Sequence, residues 1–505
     1  MVEAKIGLDE HRDQEVRPVT GPTSSIGQPN GIESPHVVVV GAGISGLAAA
    51  YALATSDRPP RITVLESSPR LGGKLAGAEL EGVPVDLGAE SVLARRPEAV
   101  DLIRSVGLGD DLVHPATISA GLWIGDRIRA IPPTVMGIPV DPAATADVLG
   151  KEAAEQVAHE IDLPRPDLAE DVAIGRFVAE RMGRAVTDRL VDPLLGGVYA
   201  GRAEEISLAA AVPELYAKLR TAPSLLAATA ELRAVGQQNA DQPVKPVFAG
   251  ISGGIHRLVE ALAVDLASRG VEIRRTSTVR RINRTATGYE LETGPVPAPG
   301  IEQADAVIVA VPATPAARML AELVPSASIE LATIEYASMA IVTLAVRKSD
   351  WPAGAGGSGF LVPSVEGRTI KASTYSHAKW AWSAEAGGDL AVLRCSVGRL
   401  GEESVLQRTD DELAALAAAD LRTAIGLDAP VVGHLVTRWG GGLPQYAVGH
   451  LDRVARVDAA VAGQPGLAVC GAAYRGVGIA ACVASAGQAA TRVRAHLDAL
   501  ATMAR

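Results

Sequence analysis

The hydrophobic pattern of the chain begins with eighteen uncharged residues, 37–54, which read "VVVVGAGISGLAAAYALA". The four valines at 37–40 predict a buried strand, because a short continuous apolar run is typical of a strand covered on both faces. The alanine- and leucine-rich second half predicts a helix, since these residues are strong helix formers. The stretch is long enough to span a membrane, but a strand followed by a helix would include all of its apolar residues, so a membrane helix is not required.

Three glycines, Gly41, Gly43 and Gly46, interrupt this stretch with the spacing G-x-G-x-x-G. Between a strand and a helix, this spacing is typical of a dinucleotide-binding turn. The first glycine takes an unusual backbone angle, the second lets a pyrophosphate approach, and the third lets the helix pack on the sheet. A second predicted strand, "RITVL", precedes Glu66, which lies 20 residues after Gly46. A carboxylate at that distance is expected to bind ribose hydroxyls, so the sequence predicts a dinucleotide site.

Later apolar runs extend this pattern. The stretch "VEIRRTSTVRRINR" predicts one strand, and "ADAVIVAVPATPAARM" predicts a buried strand that closes the sheet. Residues 467–470 predict a short strand, which a glycine-rich turn and a long helix follow. A partial positive charge at that helix N-terminus would stabilise negative charge on a nearby cofactor.

The pattern also predicts the domain organisation. Residues 35–95, 247–312 and 430–505 are expected to assemble one Rossmann-like α/β domain from separated segments. Residues 96–246 show helical periodicity and predict a largely helical lobe. Residues 313–429 contain strand-like runs such as "SMAIVTLAVRK" and "LAVLRCSV", which predict a β-rich domain over the site. Residues 1–34 mix charges with Pro, Gly and Ser, and they predict a disordered extension.

Composition narrows the function classes. The chain has 505 residues, of which 48% are hydrophobic and 21% charged, so several packed globular domains are expected. Its net charge of −11 argues against a nucleic-acid partner and requires local Arg or Lys for any anionic substrate. The three cysteines have no metal-ligand spacing. We therefore expect reduced thiols, a cytoplasmic location and no metal site.

The segment after Glu66 indicates which dinucleotide binds. It reads "ESSPRLGGKLAGAELEGVPVDLGAES" and contains Arg70 and Lys74, which can neutralise phosphate charge. The pattern E-x-x-x-R-x-G-G-K resembles the second signature of the FAD-dependent amine oxidase and porphyrinogen oxidase superfamily. The alternative is a turn with incidental basic residues.

Further segments sharpen the resemblance. They are "DPLLGGVYAG", "FAGISGGIHRLVEAL", "TRWGGGLPQYAVGH" and "GAAYRGVGI". In this order they resemble the oxygen-dependent coproporphyrinogen and protoporphyrinogen oxidases of haem synthesis, from about residue 35 to the C-terminus. One departure is the sequence at residues 88–91, where this chain has G-A-E-S and relatives often have G-P-D-S.

The resemblance implies FAD as cofactor, with a β-sheet domain holding the substrate. The residues that it assigns to FAD are Gly41, Ala42, Gly43, Ile44, Ser45, Gly46, Glu66, Ser67, Arg70, Gly73, Lys74, Gly88, Ala89, Glu90, Ser91, Val279, Trp439, Val477, Gly478 and Ile479.

The resemblance also implies a reaction, the oxidation of coproporphyrinogen III to coproporphyrin III with O2 as acceptor and H2O2 released. Arg95 and Arg96 are candidates to bind the substrate carboxylates, because the arginine fork suits a carboxylate. The catalytic residues are unknown. Tyr446 and His450 are weak acid–base candidates, and the alternative is that both are structural and hold the loop around Trp439.

Three alternative functions remain open at this stage. One is protoporphyrinogen IX oxidation, a second is amine oxidation by a flavin enzyme, and a third is a non-catalytic protein of the same fold. The expected partners are the porphyrinogen and molecular oxygen. The resemblance leaves open a loose contact with a membrane surface and a contact with other enzymes of haem synthesis, without an integral membrane segment.

Overall fold

The computed structural model describes residues 34–237 and 246–503. The extension predicted over residues 1–34 lies outside the described residues, apart from Ser34. Within the two described ranges, no helix has both the length and the apolar character that crossing a membrane requires.

A five-stranded parallel sheet, which we call the cofactor sheet, is built around the predicted valine strand. In spatial order its strands are Glu272–Arg274, Arg61–Leu65, His36–Val40, Ala306–Val309 and Leu467–Val469. Its strands come from early, middle and late parts of the chain, which confirms the predicted assembly of an α/β sheet from separated segments.

The continuous apolar character of the central strand follows from burial on both faces. Val37 and Val39 pack into a core with the helices Ile44–Ala54, Arg257–Ser268 and Ile479–Met503. Val38 and Val40 face the opposite way. They pack into a second core, which includes an antiparallel sheet of Val279–Arg284, Tyr289–Thr293 and Gly300–Ala304 and the helices Ala313–Leu320, Pro325–Ala332 and His450–Ala462.

Two strand predictions in this region are wrong. The stretch predicted as one strand forms two, Glu272–Arg274 and Val279–Arg284, which belong to different sheets. The chain turns between them at Thr276, which has a positive φ of 52°. The strand Ala306–Val309 does not close the cofactor sheet but lies inside it, because the C-terminal strand Leu467–Val469 pairs along its outer side.

A second sheet of seven strands, mostly antiparallel, lies in the β-rich part of the chain. In spatial order its strands are Gly433–Pro444, Tyr336–Arg347, Leu390–Val397, Ile370–Thr374, Gly359–Leu361, Ala120–Ile124 and Arg127–Ala130. The helix Asp410–Ile425 packs on it. Three of these strands lie outside the range 313–429. The segments 96–246 and 430–505 therefore contribute to this sheet as well as to the parts predicted for them.

The rest of the described chain between residues 96 and 237 is mainly helical. Its helices are Pro97–Ile103, Ala146–Leu149, Lys151–Ala158, Ile174–Met182, Arg184–Val186, Asp192–Tyr199, Leu208–Ala211, Pro213–Leu219 and Leu225–Gln237. Two shorter helices, Ser376–Lys379 and Ala381–Ala386, precede the strand Leu390–Val397. The remaining strands form small sheets: Gly77–Leu80 with Val83–Asp86, Thr134–Val135 with Ile138–Pro139, and Val92–Leu93 with Phe248–Ile251 and Leu112–Val113.

The third glycine of the motif determines how the first helix meets the cofactor sheet. A Cβ atom on Gly46 would lie 1.8 Å from the carbonyl oxygen of Gly41 and 3.3 Å from the Cβ of Ala310. The helix therefore crosses the turn at a distance that only glycine permits.

We predict that Gly46→Ala destabilises the fold by at least about 1–3 kcal/mol, since the backbone must move to admit the methyl group. The thermal unfolding midpoint measures this effect. Gly487→Ala, in the helix Ile479–Met503, is the matched control because its new Cβ would meet no atom within 4 Å. Equal midpoints for the two variants would contradict the packing role.

Candidate active site

A cavity of about 910 Å³ lies between the carboxyl ends of the cofactor-sheet strands and one face of the seven-stranded sheet. The residues after four parallel strands form its first wall, as is usual for ligand sites in open α/β sheets. The strands Ile370–Thr374 and Leu390–Val397 supply part of the opposite wall, and the end of the helix Asp192–Tyr199 adds Gly197 and Val198.

The glycine turn opens into this cavity. A Cβ on Gly43 would meet no protein atom within 4 Å, and the residue has an ordinary φ of −70°, so the protein itself does not require glycine here. The turn therefore leaves empty space beside the N-terminus of the helix Ile44–Ala54, where free N–H groups favour an anion. Glu66 fixes the neighbouring backbone, since its carboxylate accepts hydrogen bonds from the N–H groups of Ala42 at 2.7 Å and Ser68 at 2.8 Å.

The two basic residues of the next segment have different surroundings. The guanidinium of Arg70 donates to the carbonyl groups of Leu71, Gly73 and Leu75, so it holds the loop in shape. Lys74 lines the cavity, and burial lowers the pKa of its ammonium.

Trp439, in the strand Gly433–Pro444 of the seven-stranded sheet, contacts the loop at Leu87 and Gly88. Its indole N–H donates to the carbonyl of Leu87 at 2.9 Å, and its ring lines the cavity beside Gly88. The guanidinium of Arg70 lies 5.8 Å from the ring centroid. The tryptophan is thus fixed in the cavity wall at the point where the two sheets meet.

A buried ion cluster lies behind the turn at 88–91. The Glu90 carboxylate accepts from Arg394 at 2.9 Å and from the indole N–H of Trp380, and it lies 3.8 Å from the Lys379 ammonium. Burial alone would raise the pKa of Glu90, but the two cations and these hydrogen bonds lower it below its ordinary value. Arg394 also donates to the Gly88 carbonyl at 2.5 Å.

Tyr446 and His450 support the C-terminal glycine turn. The Tyr446 hydroxyl donates to the Ala472 carbonyl and accepts from the Gly476 N–H, both at 2.7 Å. The His450 ring stacks on Tyr446 at 3.8 Å, and its Nε2 lies 2.8 Å from the Tyr474 carbonyl. Burial lowers the pKa of His450 to about 4. Neither side chain lines the cavity, and the contacts described here hold the turn at Ala472–Gly476 rather than the loop around Trp439.

The structure brings most of the predicted cofactor residues together. Those on the cavity wall are Gly41, Gly43, Ile44, Ser45, Glu66, Ser67, Gly73, Lys74, Gly88, Ala89, Val279, Trp439, Val477 and Ile479. Those off the wall are Ala42, Gly46, Arg70, Glu90, Ser91 and Gly478. Four of the latter, Ala42, Gly46, Arg70 and Glu90, have the supporting contacts described above.

Arg95 and Arg96 are not brought to the cavity. Both are exposed. Arg96 precedes the helix Pro97–Ile103, and its guanidinium forms two hydrogen bonds with the Glu98 carboxylate, at 2.8 and 3.1 Å. The cations on the wall that the seven-stranded sheet forms are instead Lys371 and Arg394, which the sequence analysis missed. A single charge inside an otherwise apolar strand, as in "LAVLRCSV", was the available signal.

Comparison with known proteins agrees with this architecture. The family model of the flavin containing amine oxidoreductases matches residues 44–494. The chain belongs to this family. It is therefore an FAD-dependent oxidoreductase, and the open space at Gly43 beside a helix N-terminus fits the pyrophosphate of that cofactor.

Several relatives resemble the chain over almost their whole length. The coproporphyrinogen III oxidase of Mycobacterium tuberculosis H37Rv is 39% identical, covering 91% of this chain and 98% of that protein. The Bacillus subtilis protein of the same name is 31% identical, covering 89% and 95%. A crystal structure from Exiguobacterium sp. 255-15, named as a protoporphyrinogen oxidase, superposes with a TM-score of 0.79 at 32% identity and covers 93% of this chain and all of that one.

We predict that Gly43→Val folds but retains little flavin. The valine fits the backbone and touches no protein atom, yet it fills the space beside the helix N-terminus. The ratio of flavin absorbance to protein absorbance in the purified protein measures the loss, and far-UV circular dichroism checks the fold. Gly487→Val, away from the cavity, is the control. Full flavin content in folded Gly43→Val would refute this placement.

A second prediction concerns pH. The folded chain holds His450 neutral down to a pKa of about 4, whereas the unfolded residue titrates near its ordinary value of 6.5. Between these values the unfolded chain binds more protons, so this contribution to stability is complete above pH 6.5 and is lost as the pH falls towards 4.

The urea midpoint should therefore fall more between pH 7.5 and pH 5 in the native protein than in His450→Gln, which retains a donor but does not titrate. Other histidines contribute equally to both proteins and cancel in the comparison. The same decrease in both proteins would show that His450 is not buried in its neutral form.

Proposed function

We propose that this enzyme oxidises coproporphyrinogen III to coproporphyrin III in haem biosynthesis, with O2 as the final electron acceptor and H2O2 as the by-product. The observation that carries the proposal is Lys371, a buried lysine that the seven-stranded sheet presents to the cavity and that forms no ion pair among the described residues. The substrate named for two of the relatives carries four carboxylates, and cations suit these groups.

The cofactor segments suggest how FAD lies in the cavity. The ribose next to the adenine would bind at Glu66 near Val279, and the pyrophosphate would lie at Gly43. The flavin ring would then lie between Lys74 and the turn that leads into Ile479. When bound, FAD supplies the acceptor for the two electrons removed in each of three successive oxidation steps.

The protein's own residues hold the two walls of the cavity in position and shield the reaction from water. Arg394 links the Gly88 turn beside the cofactor to the strand Leu390–Val397 beside the substrate. This contact sets the separation of the two walls. The apolar and aromatic residues of the wall, among them Trp439 and Leu361, limit the entry of water.

An amine substrate fits the wall that the seven-stranded sheet forms less well. An amine substrate is a cation at neutral pH, and it binds best beside a carboxylate or over aromatic rings. Lys371 would repel it, and the Glu90 carboxylate cannot attract it because it is already paired with Arg394.

The cysteines are consistent with a cytoplasmic location, which we propose for this enzyme. Cys395, Cys470 and Cys482 are free and buried. Free thiols are typical of reducing compartments.

Steady-state oxidation tests the proposal. The purified enzyme is given coproporphyrinogen III, protoporphyrinogen IX or a panel of primary amines, and product fluorescence and H2O2 are followed together. We expect kcat/KM to be highest for coproporphyrinogen III, with three H2O2 released for each porphyrin formed. A higher kcat/KM for protoporphyrinogen IX would assign the enzyme to that substrate instead, and H2O2 formation with amines alone would overturn the porphyrinogen assignment.

A further inference from the structure

Lys371 lies at an irregular position of the seven-stranded sheet. In the pairing of Ile370–Thr374 with Leu390–Val397, Ile370 is opposite Val397 and Ala372 is opposite Ser396. Lys371 is therefore the extra residue of a β-bulge. Bulges redirect a side chain relative to a regular strand and are frequent beside active sites.

The Lys371 side chain is buried but faces the cavity. The residue is 5% exposed and forms part of the cavity wall. Among the described residues, no carboxylate lies within 4 Å of its ammonium and no hydrogen-bond acceptor contacts it. Burial, with a further contribution from Arg399, lowers the pKa of Lys371 to about 7.

Arg399 is held beside Lys371 through the backbone of Val362. The Val362 N–H donates to the Lys371 carbonyl, and the Val362 carbonyl accepts from the Arg399 guanidinium, both at 2.9 Å. Arg399 is also buried. Its ion-pair partner is Glu402, 3.7 Å away, whose side chain is 47% exposed. Arg399 therefore has two carboxylates near it, Glu402 as its ion pair and Asp192 at a longer distance, whereas Lys371 has no ion pair of its own among the described residues.

This arrangement is costly unless an anion enters the cavity. A buried charge without a partner is strongly unfavourable, and the like charge of Arg399 adds to the cost. Arg394 on the same sheet provides the contrast, because Glu90 neutralises it within the protein. The unpaired positive charge on this wall of the cavity therefore belongs to Lys371.

We propose that Lys371, supported by Arg399, binds a propionate carboxylate of the substrate at the cavity wall that the seven-stranded sheet forms. The proposal rests on the function proposed above and adds the group that orients the macrocycle. The incoming carboxylate supplies the missing partner of the ammonium and keeps it protonated. Lys371 is thus a binding residue, and substrate orientation depends on it.

Equilibrium binding of coproporphyrin III tests this role without turnover. Dissociation constants are measured by quenching of porphyrin fluorescence for the free acid and for its tetramethyl ester, which has no carboxylates. The variants are Lys371→Met, which removes the charge at similar length, and Lys371→Arg, which keeps the charge. Lys151→Met, at an exposed helix position outside the cavity, is the matched control.

We expect Lys371→Met to weaken binding of the acid about tenfold, as loss of a hydrogen bond between charged groups predicts. Binding of the ester should be unchanged. Lys371→Arg should retain most of the affinity for the acid, and Lys151→Met should behave like the native protein. Flavin content and near-UV circular dichroism confirm that each variant is folded.

Two results would overturn the inference alone. One is unchanged affinity of Lys371→Met for the acid, and the other is an equal loss of affinity for acid and ester, which would indicate a role in shape. If the native protein neither binds coproporphyrin III nor oxidises its porphyrinogen, the proposed function fails and this inference fails with it. Oxidation by the native enzyme therefore separates the two failures.

Discussion

The active site depends on the buried contact of Glu90 with Arg394. The carboxylate comes from a turn beside the cofactor sheet, and the guanidinium comes from the middle of the seven-stranded sheet. Because Arg394 also binds the Gly88 carbonyl, one side chain positions both walls of the cavity. Loss of Glu90 would leave Arg394 and Lys379 without their carboxylate, a change that typically costs about 3–5 kcal/mol when one partner of a buried pair is removed.

This contact also gives a role to the residues at 88–91, where the sequence is G-A-E-S. Glutamate at position 90 has one methylene more than an aspartate would have, and it reaches Arg394, Trp380 and Lys379 at once. Alanine at position 89 leaves a small side chain on the cavity wall. The turn is thus adapted to the sheet behind it as well as to the cofactor in front.

The features that could be predicted from the sequence are those determined by residues close together in the chain. The strand, glycine turn and helix of residues 36–54 are local, and so is the acid at position 66. Sheet membership is different, because Ala120–Ile124 and Gly433–Pro444 find their partners far away in the chain. A pattern of alternating residues indicates a strand, but it does not identify the strand beside it.

The same limit applies to side-chain roles. Arg95 and Arg96 follow a cofactor segment in sequence, yet the helix that begins at Pro97 holds them outside the cavity. Lys371 reaches the cavity through a bulge, which only the paired strand defines. The sequence offered two alternatives for Tyr446 and His450, but it did not show that both side chains contact carbonyl groups of the turn at Ala472–Tyr474.

The order of strands in the cofactor sheet has a consequence for synthesis on the ribosome. The valine strand emerges before the outer strand Leu467–Val469 and the helix Ile479–Met503, which packs on the first helix, and the two parts are separated by most of the chain. Until then an apolar, β-branched segment lacks part of its cover, and such segments are prone to aggregate. Completion of the sheet therefore waits for a strand that is synthesised long after the first, and the edge of the sheet on which that strand pairs must stay free of other partners until then.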